Sequence, residues 1–281
     1  MKHAFAALLA ALFLITPARV ADIELPAVFH DGMVYLKVSV NGAEPVWMNL
    51  DNGTSPSAIS LDYARGLGLK LDKAAGWGTG IGHKPVEFFN TKADLTAGDS
   101  TRRIDFAASR LDGMLGPDGR PLAGVLGHSF LAGRIVVIDY PRNRVWFTSR
   151  LEPCGCDLPM GEDFNIPTVP VTVAGRRMTA LIDSGGMYEL LITPSGVRAA
   201  GLQAYAEAGR PRTSYGYAGA QTVHVGTAPD VIVGKIRRDN PSAVYGAFGT
   251  SPLKSQAALG AMFLKDYRVT LNYQARKVRL Q

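Results

Sequence analysis

A chain of 281 residues, 47% hydrophobic and 19% charged, has the balance of a folded protein and the length for two separate cores of ordinary size. Its formal charge of +6 is mild, and no basic helix or aromatic-interleaved basic patch accompanies it, so nucleic-acid binding finds no support. The 31 Gly and 17 Pro, scattered between short β-rich runs, argue for many strands and turns rather than long helices.

The chain opens with Lys2 and an unbroken apolar stretch from Ala4 to Ile15, followed by Thr16-Pro17-Ala18 and Arg19-Val20-Ala21 as cleavage points. That stretch is twelve residues long, short of the ~20 that cross a bilayer, so residues 1–21 read as a signal peptide. An uncleaved anchor is the competing reading. The expected mature protein is periplasmic or secreted, without stable membrane insertion once the signal is removed. Losing Lys2 and Arg19 lowers the formal charge to +4 (6 − 2).

In residues 22–148, Val34–Val40 leads through Asn41-Gly42 into Val46–Leu50, a hairpin whose second strand delivers Asp51. Ser60–Arg65 reads as a short helix closed by Gly66 and Gly68. Gly78-Thr79-Gly80-Ile81-Gly82-His83 is a glycine-rich tip before Val86–Phe89, the composition of a mobile flap or of an ordinary hairpin turn. Ile135–Ile138 and Val145–Phe147, joined by Tyr140-Pro141-Arg142-Asn143, form a closing hairpin.

Residues 149–161 read as a linker containing the two cysteines, Cys154 and Cys156. A strained disulfide and a pair of linker thiols both fit this spacing. The five histidines, His3, His30, His83, His128 and His224, lack ligand spacing, so neither a metal nor another cofactor is expected. Residues 162–281 repeat the earlier order, from Val169–Val173 through Asp183 to a second glycine-rich tip at Ser214–Gly219.

The repetition is the main signal in the sequence. Val46-Trp47-Met48-Asn49-Leu50-Asp51-Asn52-Gly53 returns as Met178-Thr179-Ala180-Leu181-Ile182-Asp183-Ser184-Gly185. Gly124-Val125-Leu126-Gly127 returns as Ala257-Ala258-Leu259-Gly260. The offset is 132 residues at the aspartates and 133 at Gly68/Gly201, Leu126/Leu259 and Tyr140/Tyr273, a register that strand periodicity alone does not maintain. Asp31-Gly32, Asp112-Gly113 and Asp118-Gly119 recur nowhere in register and read as turns.

Each aspartate ends an apolar strand and is followed, 75 or 76 residues later, by an apolar-apolar-Gly step. In these motifs the chain resembles the retropepsin-like aspartic peptidases, over nearly the whole expected mature length. The resemblance implies a mainly β fold of two similar closed β-barrel-like lobes, six or seven strands each, related by a pseudo-two-fold axis with a cleft between them. It implies a monomer whose halves form an intramolecular pseudo-dimer. Asp51 and Asp183 would be catalytic, with Asn52, Gly53, Thr54, Ser184, Gly185 and Gly186 as the active-site loops. Gly80, Ile81, Tyr215 and Tyr217 are the flap candidates, and the partner is a peptide or protein substrate.

Two positions depart from the family pattern. Asn52 stands where a Thr or Ser hydroxyl bonds across to the opposite loop, and Gly186 stands where a small hydroxylic or methyl side chain is common. The leading expectation is an aspartic endopeptidase in which two facing carboxyls share a proton and activate water. The alternative is a catalytically impaired peptide-binding protein that lost its grip at Asn52. A two-carboxylate glycosidase would want its carboxyls about 5 Å or more apart and has no use for an internal two-fold repeat.

Overall fold

The computed structural model describes residues 22–73, 86–216, 219–248 and 252–281; the segment read as a signal lies outside them. In the first half the elements are β1 (Ile23–Leu25), β2 (Ala27–His30), β3 (Met33–Val40), β4 (Val46–Leu50), β5 (Ser57–Ser60), α1 (Leu61–Gly66) and β6 (Asp72–Lys73). They continue with β7 (Phe89–Ala97), β8 (Ser100–Ser109), β9 (Gly124–Leu126), α2 (His128–Leu131), β10 (Ile135–Asp139) and β11 (Arg144–Thr148). The second half begins with β12 (Leu158–Pro159), β13 (Gly161–Asp163), β14 (Ile166–Val173), β15 (Arg176–Asp183), β16 (Leu190–Ile192), α3 (Pro194–Ala200) and α4 (Gln203–Ala208). It ends with β17 (Arg210–Gly216), β18 (Gly219–Thr227), β19 (Asp230–Val233), β20 (Ile236–Asp239), β21 (Ser242–Tyr245), β22 (Ala257–Gly260), α5 (Ala261–Leu264), β23 (Arg268–Asn272) and β24 (Lys277–Leu280).

The strands form because apolar residues alternate and turn residues separate them. Along β3, Val34, Leu36, Val38 and Val40 all point inward and are buried, as the two-residue period of a strand requires. Asn41 and Gly42 then take positive φ of 50° and 75°, the left-handed backbone that this pair accommodates best. The two short helices that follow β5 and β16 start alike. Ser60 and Thr193 cap them by accepting from the backbone N–H of Tyr63 and Gly196.

In the first half the order β3-β4-β9-β5-β8-β7 returns to β3 through Leu95 and Thr96, which closes a six-stranded barrel. The second half repeats the order as β14-β15-β22-β16-β21-β18, but its ladder is not closed among the described residues. The strand matching β7 is split there: β18 pairs with β21, while β19 turns away to pair with β14 and β20. Pro229 and Pro241 sit at the break, where neither offers a backbone N–H to continue the ladder. Their carbonyls still accept from Asn240 and Ala228, so the seam remains stitched at that point.

The hairpin read at Ile135–Phe147 does more than close its own half. β10 and β11 join β23 and β24 in a six-stranded sheet, flanked by β1 and by β12 from the linker. β10 and β23 run antiparallel with Val137 opposite Thr270, and the 133-residue repeat carries Val137 onto that same Thr270. The pseudo-two-fold axis therefore passes between these two residues. Beside it, Arg268 Nε donates to the nearly inaccessible Asp139 carboxylate at 2.8 Å, tying one half to the other. Cys154 and Cys156 form a disulfide within the linker.

Candidate active site

Both aspartates stand where a buried strand runs out. β4 lies parallel to β9 with Leu50 opposite Leu126, and Asp51 N donates to Leu126 O at 2.9 Å. β15 lies parallel to β22 with Asp183 opposite Gly260. The apolar-apolar-Gly step is needed because the active-site loop rests on the glycine. A Cβ at Gly127 would lie 2.0 Å from Thr54 O, and one at Gly260 would lie 2.2 Å from Tyr188 O. The next residue in each half pins the loop, with His128 N donating to Thr54 O at 2.9 Å and Ala261 N to Gly186 O at 2.8 Å.

Across the axis the two loops hold each other. Asn52 N donates to Ser184 Oγ at 3.1 Å, and Ser184 N donates to Asn52 Oδ1 at 2.9 Å. Each side chain then reaches the strand behind the opposite aspartate. Ser184 Oγ donates to Leu50 O at 3.0 Å, and Asn52 Nδ2 donates to Ile182 O. The Asn52 amide thus accepts with its oxygen and donates with its nitrogen, the two jobs that one hydroxyl does on the Ser184 side. Both residues are buried. The departure at Asn52 is a different chemical solution to the same joint.

This joint brings the carboxyls of Asp51 and Asp183 within hydrogen-bonding reach of one another. Glycine is obligatory between them. A Cβ at Gly53 would come within 2.5 Å of Asp183 Oδ1, and one at Gly185 within 2.2 Å of Asp51 Cγ. Each inner oxygen accepts from the glycine two residues on: Asp51 Oδ1 from Gly53 N at 2.7 Å, and Asp183 Oδ1 from Gly185 N at 3.2 Å.

The electrostatics follow from burial. Desolvation raises both pKa values above the usual carboxylate range. Hydrogen bonds from Thr54 and Gly53 temper the rise at Asp51, whereas Asp183 also feels the repulsion of the Asp51 charge. Two groups this close titrate as one unit, with apparent values that belong to the pair rather than to either residue.

The outer oxygens are held by unlike residues. Thr54 Oγ1 donates to Asp51 Oδ2 at 2.7 Å. On the other side Gly186 has no side chain, and the hydroxyl of Tyr188 donates to Asp183 Oδ2 instead. Sequence reasoning missed Tyr188. Its one signal was the bare Gly186 with a tyrosine two residues beyond.

The eight loop and dyad positions read from the sequence therefore converge. Of the flap candidates, Tyr215 lies in the β17–β18 hairpin opposite Ala220 and is 77% exposed. Gly80, Ile81 and Tyr217 lie outside the described residues.

Comparison with protein families finds one described as "Aspartyl protease", matched twice along this chain, at residues 36–130 and 169–263. No curated protein matches the chain.

Proposed function

This chain belongs to the aspartyl protease family as two fused retropepsin-like halves, and we propose that it is an aspartic endopeptidase exported to the periplasm or beyond. The observation that carries this reading is the pair of desolvated carboxyls at Asp51 and Asp183, within hydrogen-bonding reach and locked by the Asn52–Ser184 exchange. With one proton between them, the ionised carboxylate takes a proton from a water that attacks the scissile carbonyl, while the protonated carboxyl donates to the carbonyl oxygen. The C–N bond then breaks as the amine leaves with a proton returned by the pair. Water supplies the oxygen, and neither a metal nor a redox partner enters the balance.

Substrate would lie extended, adding main-chain hydrogen bonds to the glycine-rich segments read as flaps. The impaired, binding-only reading started from a lost grip at Asn52, and the amide makes that grip. Carboxyls close enough to share a proton also speak against a glycosidase, which keeps its pair about 5 Å or more apart. Incubating the mature protein with a mixed peptide library, with and without a statine-type transition-state mimic, tests the proposal. Cleavage blocked by the mimic is expected; an intact library, or cleavage indifferent to the mimic, contradicts it.

A further inference from the structure

The two halves hold their aspartates by different routes, and the difference lies in one side chain. Thr54 is the third residue after Asp51 and reaches its outer oxygen directly. Its counterpart Gly186 cannot, and a Cβ there would collide with Tyr188 Cε1 at 2.5 Å and Asp183 Oδ2 at 2.6 Å. Tyr188, the fifth residue after Asp183, fills that space with its ring and ends in a hydroxyl on Asp183 Oδ2. The fifth residue after Asp51 is Pro56, which has no hydroxyl to offer.

We propose that Tyr188 is a positioning residue of the dyad: its phenol holds the outer oxygen of Asp183 as Thr54 holds that of Asp51, and Gly186 is bare so that the ring can pass. The claim rests on the reading of Asp51 and Asp183 as one working pair. The ring is anchored from behind, since Tyr188 N donates to Gly186 O at 2.9 Å and Met262 N donates to Tyr188 O at 3.1 Å. Only 8% of the residue is exposed. Burial and the Asp183 charge push the phenol well above its ordinary pKa, so it remains a proton donor throughout the range in which the carboxyls titrate.

Other charged groups face this ring without competing for the contact. In the site this is Asp51, and the buried hydroxyl of Tyr140, which lacks a partner among the described residues, feels the same two carboxyls. Tyr188 also lines a cavity of about 470 Å³ together with Glu189, Arg212, Arg238, Lys265 and Asp266. There Arg238 is paired with Glu189 at 2.7 Å and with Asp266 at 2.8 Å. Gly185 N and the Tyr188 hydroxyl are thus the protein donors on Asp183 among the described residues, apart from the shared proton of Asp51.

A hydrogen bond to the ionised form favours that form, so Tyr188 lowers the pH at which the pair gives up its last proton. The test compares wild type with Tyr188→Phe, which keeps the ring, and with site-specific 3-fluorotyrosine at 188, which keeps the hydroxyl but makes it a stronger donor. Two readouts are followed: peptide cleavage against pH, and the carboxyl ¹³C shifts of labelled aspartate against pH.

Tyr188→Phe should move the alkaline limb and the higher dyad titration up by about one pH unit, with kcat reduced roughly tenfold and KM unchanged. Fluorotyrosine should move both the opposite way, and it decides the matter if Tyr188→Phe does not fold. Titrations that coincide with wild type in the folded variants overturn the role of Tyr188. A wild type that cleaves nothing overturns the peptidase reading instead, while the ¹³C titration still judges Tyr188.

Discussion

Asn52 and Ser184 exchange hydrogen bonds across the pseudo-two-fold axis, each N–H donating to the other's side chain at 3.1 and 2.9 Å. Unlike residues thus build a symmetric joint, because what the axis demands is one acceptor and one donor per side, which an amide and a hydroxyl both supply. Asn52→Ala leaves Ser184 N and Ile182 O buried without partners, at a cost of about 1–3 kcal/mol each. Denaturant midpoints should fall accordingly, and turnover should drop on the order of a hundredfold if the carboxyls drift by about 1 Å. Asn52→Thr, by contrast, should restore both contacts and leave stability and turnover near wild type. A large gain in turnover from Asn52→Thr would mean that the amide is a defect after all.

Gly185→Ala places a methyl 2.2 Å from Asp51 Cγ and 2.4 Å from Asp51 Oδ2, so the Asp51 carboxyl itself has to give way. The carboxyls must separate, so turnover should vanish while the strands behind them remain folded. Circular dichroism together with a cleavage assay checks this. A fully active Gly185→Ala enzyme is incompatible with the described geometry.

The dyad should leave a signature in stability against pH. Burial raises both carboxyl pKa values, so in the window from about 4 upward the folded state binds more protons than the unfolded chain. Stability from this source is therefore fully present below the ordinary carboxylate pKa and is lost as pH rises through the elevated values. Asp183→Asn removes one of the two raised groups and its repulsion of the other, so its denaturant midpoint should decline less over that window than that of wild type. Parallel curves would show that the carboxyls are not desolvated.

Asp139 behaves oppositely. Burial works to raise its pKa, but hydrogen bonds from Arg268 and Arg142 outweigh burial and hold it below the ordinary value. Its contribution is present above the ordinary carboxylate pKa and lost as pH falls through the lowered one. Asp139→Asn should cost about 1–3 kcal/mol at neutral pH, with the deficit shrinking in acid, as urea titrations at two pH values can show.

The repeat, the two aspartates and their loops were legible because strand pairing fixes spacing: β4 against β9 and β15 against β22 keep each Asp in register with its glycine step. Other features depend on reach rather than register. Tyr188 finds Asp183 only through the fold of a five-residue loop, and Asn52 works because an amide can turn two ways, neither of which a linear pattern records. The hairpin at β10–β11 could be read, but its union with β23 and β24 into the joint between halves could not, since that pairing joins residues such as Val137 and Thr270, 133 apart (270 − 137). The open seam of the second barrel traces to Pro229 and Pro241, whose missing N–H groups matter only once their partner strands are known.

Whether Asp51 and Asp183 act as one unit is read most directly from kcat/KM for peptide cleavage by Asp51→Asn, Asp183→Asn and the double variant, all checked for folding. Groups that share one proton are non-additive, so each single variant should lose almost as much activity as the double one. Substantial turnover in either single variant, or losses that simply multiply, would contradict the shared-proton dyad.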